Sequence, residues 1–473
     1  MSNLLKRRII ILVFTIAVSL PAASISIKPS IFEEKSIQPN IVLLLIENIS
    51  TELSCYGEPD IKTPNIDRLA EEGVRYTQAF TTSSVCAPSR AAMMTGTYQI
   101  KSNTQHLRMN RNRNLPLPYR AFTHYLREGG YYTALGCGYS AKTDINFSPR
   151  EGNIDGFDGD DWSKRAENQP FFAQITLDIT HRGKHWYTDD PQIDPASITL
   201  APETPDHKIC RDDFARYLSQ IQKMDIQVSE ILHRLDKEGL SNNTLVIFMG
   251  DNGADLFRGM DWLYDAGIHV PLIIRWPGQL EQGMVNNHLI SSLDVIATIL
   301  QIAGINIPDH FDGFPIFGSD VIHRDYIYAA RDRVDEAIDR IRCVRSKQFK
   351  YIRNYMPERG YYEKRWAVEN NPTLDVGKEL HLKGKLTPEQ ELHMADTKPE
   401  EELYDLKNDP HEFQNLVENS NFQTTLETMR KLMDEWIDDT GDCGQFQEKR
   451  EDALETEWFI YDEVYGKNTL IKE

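Results

Sequence analysis

Two runs of residues in this chain admit few folds. Asn40 to Ile46 (NIVLLLI) and Thr244 to Met249 (TLVIFM) are continuously apolar over the length of a strand. A strand wetted on one face alternates, so a run without polar partners reads as a strand buried on both faces. Each run stops at side chains that carry oxygen, Glu47-Asn48 after the first and Asp251-Asn252-Gly253 after the second. Helical signals lie between them. Thr63 and Pro64 open one helix and Gly73 follows its end, and a second around 121–127 closes at Gly129-Gly130 before a strand over 131–135. The clearest runs from about Asp212 to Glu238, with Leu218, Ile221, Val228, Ile231, Leu232 and Leu235 on one face and Gly239 at its end. Such alternation predicts an α/β fold, a large mostly parallel sheet sandwiched by helices. Ligands of these folds sit beyond the carboxyl ends of the strands, so the two oxygen-bearing strand ends point at one place.

At 473 residues and 40% hydrophobic content, the chain suits a large catalytic core plus a smaller domain. Lys6 to Arg8, the apolar run Ile9 to Leu20 and the small residues Pro21 to Ser24 have the layout of a signal peptide over 1–24. An uncleaved anchor is the alternative, but the run is short for a membrane span, so no stable membrane insertion is expected. The mature protein is placed in the periplasm or outside the cell. A catalytic α/β domain is expected over 25–330 and a smaller α+β domain over 331–473. In the latter, Ile341 to Arg353 alternates like an antiparallel strand, Pro357 to Pro399 reads as loop, and a last helix falls around Phe422 to Asp438. The net charge of −20 argues against nucleic acid, which demands a broad basic surface. An anionic substrate must then be held by a few local cations. The six cysteines show no metal-cluster spacing, and those besides Cys86 read as buried thiols or an occasional bridge.

The segment that carries chemistry is Cys86-Ala87-Pro88-Ser89-Arg90, followed by Ala91 to Gly96. Proline suits a first helical turn and Gly96 an end, which puts Cys86 at a helix N-terminus, where free amides favour negative charge. From the residues alone this is either an activated nucleophile beside an anion site or a buried structural cysteine. The five-residue string resembles the signature of the formylglycine-dependent (type I) sulfatases, within the alkaline phosphatase superfamily. Pro39 to Leu45, Pro64 to Tyr76, Asp251-Asn252-Gly253, Leu263 to Gly278, Leu293 to Gly304 and Leu403 to Leu416 also resemble landmarks of that family, in order.

The resemblance implies that a maturation enzyme oxidises Cys86 to formylglycine. One hydroxyl of its hydrate attacks sulfur and the other allows sulfate to be expelled afterwards. It implies one Ca²⁺ held by Glu47, Asn48, Asp251, Asn252 and the modified Cys86, a hard cation among oxygen ligands. The family more often has two aspartates where this chain has Glu47-Asn48. Arg90 is implied as a cation at the site, and His181, after the apolar run 171–177, as a partner of the sulfate or of its departure. A Lys-x-His motif belongs after the strand at 131–135. In strict register it falls on Gly138 and Ser140, and Lys142-Thr143-Asp144 is the better candidate, Lys142 as a sulfate-binding cation and Asp144 as a proton donor or ligand. A further basic residue normally precedes Leu-Tyr. Met260 occupies that position, with Arg258 two residues earlier as a substitute that binds substrate.

The resemblance is nearest to bacterial branches related to heparan N-sulfatase, so the implied activity is hydrolysis of a sulfate ester or sulfamate of a sulfated carbohydrate, a glycosaminoglycan or an algal polysaccharide. Two alternatives stay open at this point. Glu47-Asn48 and Met260 fit a weakened homologue that binds sulfated glycan without turnover. A phosphodiesterase of the same superfamily is disfavoured by the few histidines near the metal segments.

Overall fold

The structure is a computed structural model that describes residues 38–444 except 110–112, 150, 184, 188–189, 319–320, 336 and 362–370. The signal-peptide reading of 1–24 lies outside the described residues. In chain order the elements are β1 (Asn40–Ile46), α1 (Pro64–Glu71), β2 (Val74–Phe80), α2 (Cys86–Thr95), α3 (Phe122–Glu128), β3 (Tyr132–Leu135), β4 (Phe171–Leu177), α4 (Lys208–Lys237), β5 (Thr244–Gly250), α5 (Asp265–Ile268) and β6 (His269–Arg275). They continue with β7 (Met284–Asn286), β8 (Ile290–Ser291), α6 (Ser292–Ile302), β9 (Ile327–Arg331), β10 (Ile341–Arg345), β11 (Phe349–Asn354), α7 (Pro372–Leu382), α8 (Pro388–Glu391), β12 (Glu401–Asp405) and α9 (Gln423–Thr440).

The apolar runs do form the middle of a sheet. Its order is β3-β4-β1-β5-β6-β2-β7, with β8 pairing β2, and every residue of β1, β4 and β5 is buried. β1 lies parallel to both β4 and β5, with Ile46 opposite Leu177 and Gly250, so three strands end side by side. β6 runs antiparallel to β5 and β2. One face packs against α2, α3 and α6 through Met93, Met94, Phe122, Ile296 and Ile299. The other packs against α1 and the 30-residue α4 through Ile66, Leu218, Ile221, Val228 and Leu235. The sheet is therefore covered on both faces, as the unbroken apolar runs require.

A second, antiparallel sheet of order β12-β11-β10-β9 follows, with Leu426, Met429, Met433 and Trp436 of α9 packed against it. Ile341 to Arg353 is a hairpin, not one strand: β10 and β11 pair antiparallel about a turn at 346–348. The loop expected over 357–399 contains α7 and α8. A charged seam joins the sheets. Buried Lys350 reaches Asp265 at 2.6 Å and Glu412 at 2.8 Å, and Arg345 reaches Asp265 at 2.9 Å. All six cysteines are free thiols.

Candidate active site

Geometry brings the strand ends and the cysteine together. The Asp251 N–H donates to the Ile46 carbonyl at 2.9 Å, and the Asn48 N–H donates to Asp251 Oδ1 at 3.0 Å, so both oxygen-bearing pairs share one edge of space. Asn48 turns there with a φ of 49°, a left-handed conformation that asparagine tolerates better than most residues. Cys86 is the first residue of α2, and Ser89 Oγ donates to the Asp251 carbonyl at 2.5 Å, pinning that helix end to β5. Arg90, one turn on, reaches back across both strands. Its Nε donates to Asp251 Oδ2 at 2.7 Å and its Nη2 to Glu47 Oε1 at 3.1 Å. Thr176 at the end of β4 accepts from Arg90 Nη1 at 3.1 Å and donates to the Lys142 carbonyl at 3.0 Å.

Lys142 completes the cluster. Its Nζ lies 2.6 Å from Glu47 Oε1 and 3.3 Å from Asp144 Oδ2, and its side chain keeps 32% of its exposure where Glu47 keeps 1%. Burial works against its charge, but Asp144, Cys86 and Glu47 outweigh burial and raise its pKa. The same balance holds for Arg90, lowered by burial and raised more by Asp251, Glu47 and Asp144. Burial, then Asp144, and also Asp251 and Glu47 push the Cys86 thiol well above its ordinary range, with Lys142 opposing. The unmodified thiol is thus held protonated, and a protonated thiol is a poor nucleophile.

The donor set fits a hard cation. Burial first, and the neighbouring Glu47 carboxylate, push Asp251 up despite Arg90. Two carboxylates so close in a buried place are relieved by positive charge. Asn252 spends its Nδ2 on Asn48 Oδ1 and the Gly253 carbonyl, and its Oδ1 is buried without a donor. An orphaned carbonyl oxygen beside two carboxylates suits a divalent ion with oxygen ligands. Among the described residues no group of three or more His, Cys, Asp or Glu side chains forms a metal cluster. Here two of the oxygens come from amides, and Arg90 and Lys142 lie on the acids.

Other expected residues are placed differently. His181 follows β4 in the turn whose Thr180 Oγ donates to the Glu47 carbonyl, and its own Nδ1 meets the Arg182 carbonyl at 2.6 Å. Arg258 is directed into the seam between the sheets. Its guanidinium stacks 3.6 Å above the Tyr264 ring and donates to the Glu412 carbonyl at 2.6 Å, so it is not brought to the cluster. Met260 does come to the site, packed with Val85, Cys86, Ala87, Leu107 and Val334. Arg108 was not singled out from sequence. Burial lowers its pKa, but Asp335, then Cys86 and Asp144, outweigh this and raise it, and its side chain retains 25% exposure beside Asp335. The one signal for it was the missing cation at Met260.

Residues 39–159 and 157–305 match the Sulfatase family model, and residues 256–373 match the model of the N-sulphoglucosamine sulphohydrolase C-terminal region. The chain is 34% identical over 460 residues to an ulvan-active sulfatase of Formosa agariphila, across 87% of this chain and 76% of that protein. It is 25% identical over 472 residues to human N-sulphoglucosamine sulphohydrolase, across 85% of this chain and 90% of that one. A protein solved in complex with its substrate D-glucosamine-2-N,6-O-disulfate shares the alkaline phosphatase-like fold, with a TM-score of 0.63 at 18% identity, covering 87% of this chain and 100% of the other. The chain belongs to the sulfatase family. It is accordingly a sulfuric ester hydrolase.

Proposed function

We propose that this sulfatase removes sulfate from a sulfated carbohydrate of algal-polysaccharide or glycosaminoglycan type, after a maturation enzyme has converted Cys86 to formylglycine. The observation that carries this reading is the meeting of Cys86, Glu47 and Asp251 at one helix end, with Arg90 across both acids. The ulvan-active and N-sulphoglucosamine-directed relatives support the substrate class. Glu47, Asn48, Asp251 and Asn252, with the modified Cys86, would hold one Ca²⁺. Formylglycine and the ion together supply a nucleophilic hydroxyl and a Lewis acid for the sulfate oxygens.

The chain's own residues prepare that chemistry. Arg90 fixes the orientation of both acids and offsets their charge. Lys142, anchored on Glu47 and Asp144 yet open to solvent, offers N–H donors to sulfate oxygens. His181, its Nδ1 anchored on the Arg182 carbonyl, hydrogen-bonds the sulfate or assists its departure. Arg108 supplies positive charge on the side where Met260 brings none. A catalytic domain over 25–330 and a smaller one over 331–473, with export to the periplasm or beyond by way of residues 1–24, complete the reading. No helix of the described residues is long and apolar enough to cross a membrane.

The test is direct. Protein co-expressed with a formylglycine-generating enzyme should show aldehyde in place of thiol in the mass of its Cys86 peptide. It should also release sulfate from ulvan oligosaccharides or from N-sulfated glucosamine. Cys86→Ala should abolish release, and equal release by that variant removes the mechanism.

A further inference from the structure

The loop that carries Lys142 reaches the site by a reversal. β3 runs parallel to β4, but Gly136, Cys137 and Gly138 follow it with φ values of 92°, 50° and 96°. Glycine accepts such left-handed backbone readily. The Tyr139 N–H donates to the Gly136 carbonyl at 2.9 Å, and Ser140 then bridges Thr176 in the antiparallel sense. The chain has turned back along the end of β4. A basic residue at 142 is thereby returned to the strand ends, on a loop that contacts beyond the sheet must seat.

The Thr176 hydroxyl makes two of those contacts. Thr176 is the sixth of the seven residues of β4, fully buried and opposite Leu45 of β1. A guanidinium only donates and a carbonyl only accepts, so the direction of both bonds is fixed. The oxygen accepts from Arg90 Nη1 at 3.1 Å and gives its one proton to the Lys142 carbonyl at 3.0 Å. The two ends of this bridge do not depend on it equally. Arg90 is held besides by Asp251 at 2.7 Å and Glu47 at 3.1 Å. Beyond the hydroxyl, the Lys142 carbonyl accepts from Arg90 Nη1 at 3.4 Å, long for a hydrogen bond. The loop is therefore the side that gives way when the hydroxyl is removed.

We propose that Thr176 is a positioning residue for sulfate release, whose hydroxyl seats the 139–144 loop so that the Lys142 ammonium stays at Glu47 and Asp144. The consequence for catalysis rests on the reading of Lys142 as the cation that meets the sulfate. Thr176 itself touches no reacting atom and acts through the lysine.

Thr176→Val removes the hydroxyl and keeps the branched shape that suits a strand, and Thr176→Ser keeps the hydroxyl. Lysine acylation followed by mass spectrometry reads the seat without turnover. In Thr176→Val the Lys142 peptide should label at least about threefold faster than in the parent, through local opening of the loop, while the other lysine peptides keep their rates. Thr176→Ser should return to the parent rate. In matured enzyme, Thr176→Val should lower kcat for sulfate release by about tenfold, less than loss of the lysine itself, because the ammonium is displaced and not removed. In a Lys142→Met background the same change should cost less than about twofold, whereas a merely structural defect costs the same in both. Equal labelling of Lys142 in Thr176→Val and parent overturns the proposal. So does faster labelling shared by every lysine peptide, or an equal loss of rate in both backgrounds. Hydroxyl-dependent labelling in a matured enzyme that releases no sulfate would instead overturn the sulfate reading of the site and leave the seating of the loop standing.

Discussion

Glu47 is held by Arg90 at 3.1 Å and Lys142 at 2.6 Å, and the two cations differ in what they are free to do. Arg90 is buried and bound to two acids, while the Lys142 side chain keeps about a third of its exposure. Lys142→Met should therefore lower kcat/KM for sulfate release by about 10²–10³, the usual effect of removing one donor to developing negative charge. Its thermal midpoint should fall as well, because Glu47 is buried and loses one of the two cations that offset its charge. Initial rates with matured enzyme check this, and a loss below threefold would dismiss Lys142 as a sulfate ligand. Arg108→Gln should also slow release, by about tenfold or more, and adding Met260→Arg should restore part of the rate by returning a cation beside Cys86. No recovery in the double variant would mean that Arg108 and position 260 do not serve the same side. Cys86, Arg90 and the four metal-segment residues were legible because each belongs to a contiguous motif or a strand end. Lys142 was legible only with a loop insertion. Arg108 was not, since it lies on a loop tied down by a long-range hydrogen bond, from the Leu107 N–H to the Arg333 carbonyl at 3.0 Å, that leaves no mark in sequence. Arg258 was misread because sequence proximity to the strand end says nothing of direction, and its φ of 57° turns it toward Tyr264.

The helix that presents Cys86 is short and fixed at both ends. Its first turn is tied to β5 through Ser89, and its last turn closes at Gly96 with a φ of 66°. A Cβ at Gly96 would meet the Phe311 ring at 2.2 Å, so two independent costs, backbone and packing, oppose any side chain there. Gly96→Ala should destabilise the protein by roughly 2–4 kcal/mol, seen as a lowered urea midpoint. A midpoint within error of the parent would show that Phe311 yields freely. Elements of this kind divide by how local their cause is. β1, β5 and α4 were read correctly because burial on two faces and a 3.6-residue stripe leave direct marks in sequence. The direction of β6 left none, since an apolar run is the same whether its neighbours are parallel or antiparallel. The β10–β11 hairpin was merged because both strands alternate in the same way across a short turn. α7 was missed because Gly377 interrupts its pattern; the structure explains that glycine by the close approach of Met394 and Phe257.

Across the whole molecule, stability against pH also depends on titratable groups outside the Cys86 cluster, and two of them oppose each other. Burial, with Arg345 and Lys350 acting in the same sense against Asp265, lowers His269 to about 4 from its ordinary 6.5. Its folded form stays neutral while the unfolded form gains a proton, so its share of stability is lost as pH falls from 6.5 toward 4. Glu52 has the reverse sign. Burial first, with Glu58 adding, raises it to about 7 from 4.5, against the hydrogen bond it accepts from Tyr217 of α4 at 3.0 Å and backbone amides at 50 and 52. The folded state keeps its proton longer than the unfolded state does. Its contribution is therefore full below pH 4.5 and is lost as pH rises through 7. Between about pH 4.5 and 6.5 the two slopes offset each other, and Glu52→Gln should unmask the histidine. The amide oxygen still accepts from Tyr217, so the packing is retained while the titration is removed. Relative to the parent, the variant should gain on the order of 2 kcal/mol of stability between pH 4.5 and pH 8, allowing for the partial exposure of Glu52. Urea midpoints of both proteins at the two pH values measure that difference. A gap that does not change with pH would mean that Glu52 ionises in the folded protein as it does in the unfolded chain, and that its burial beside Tyr217 carries no electrostatic cost.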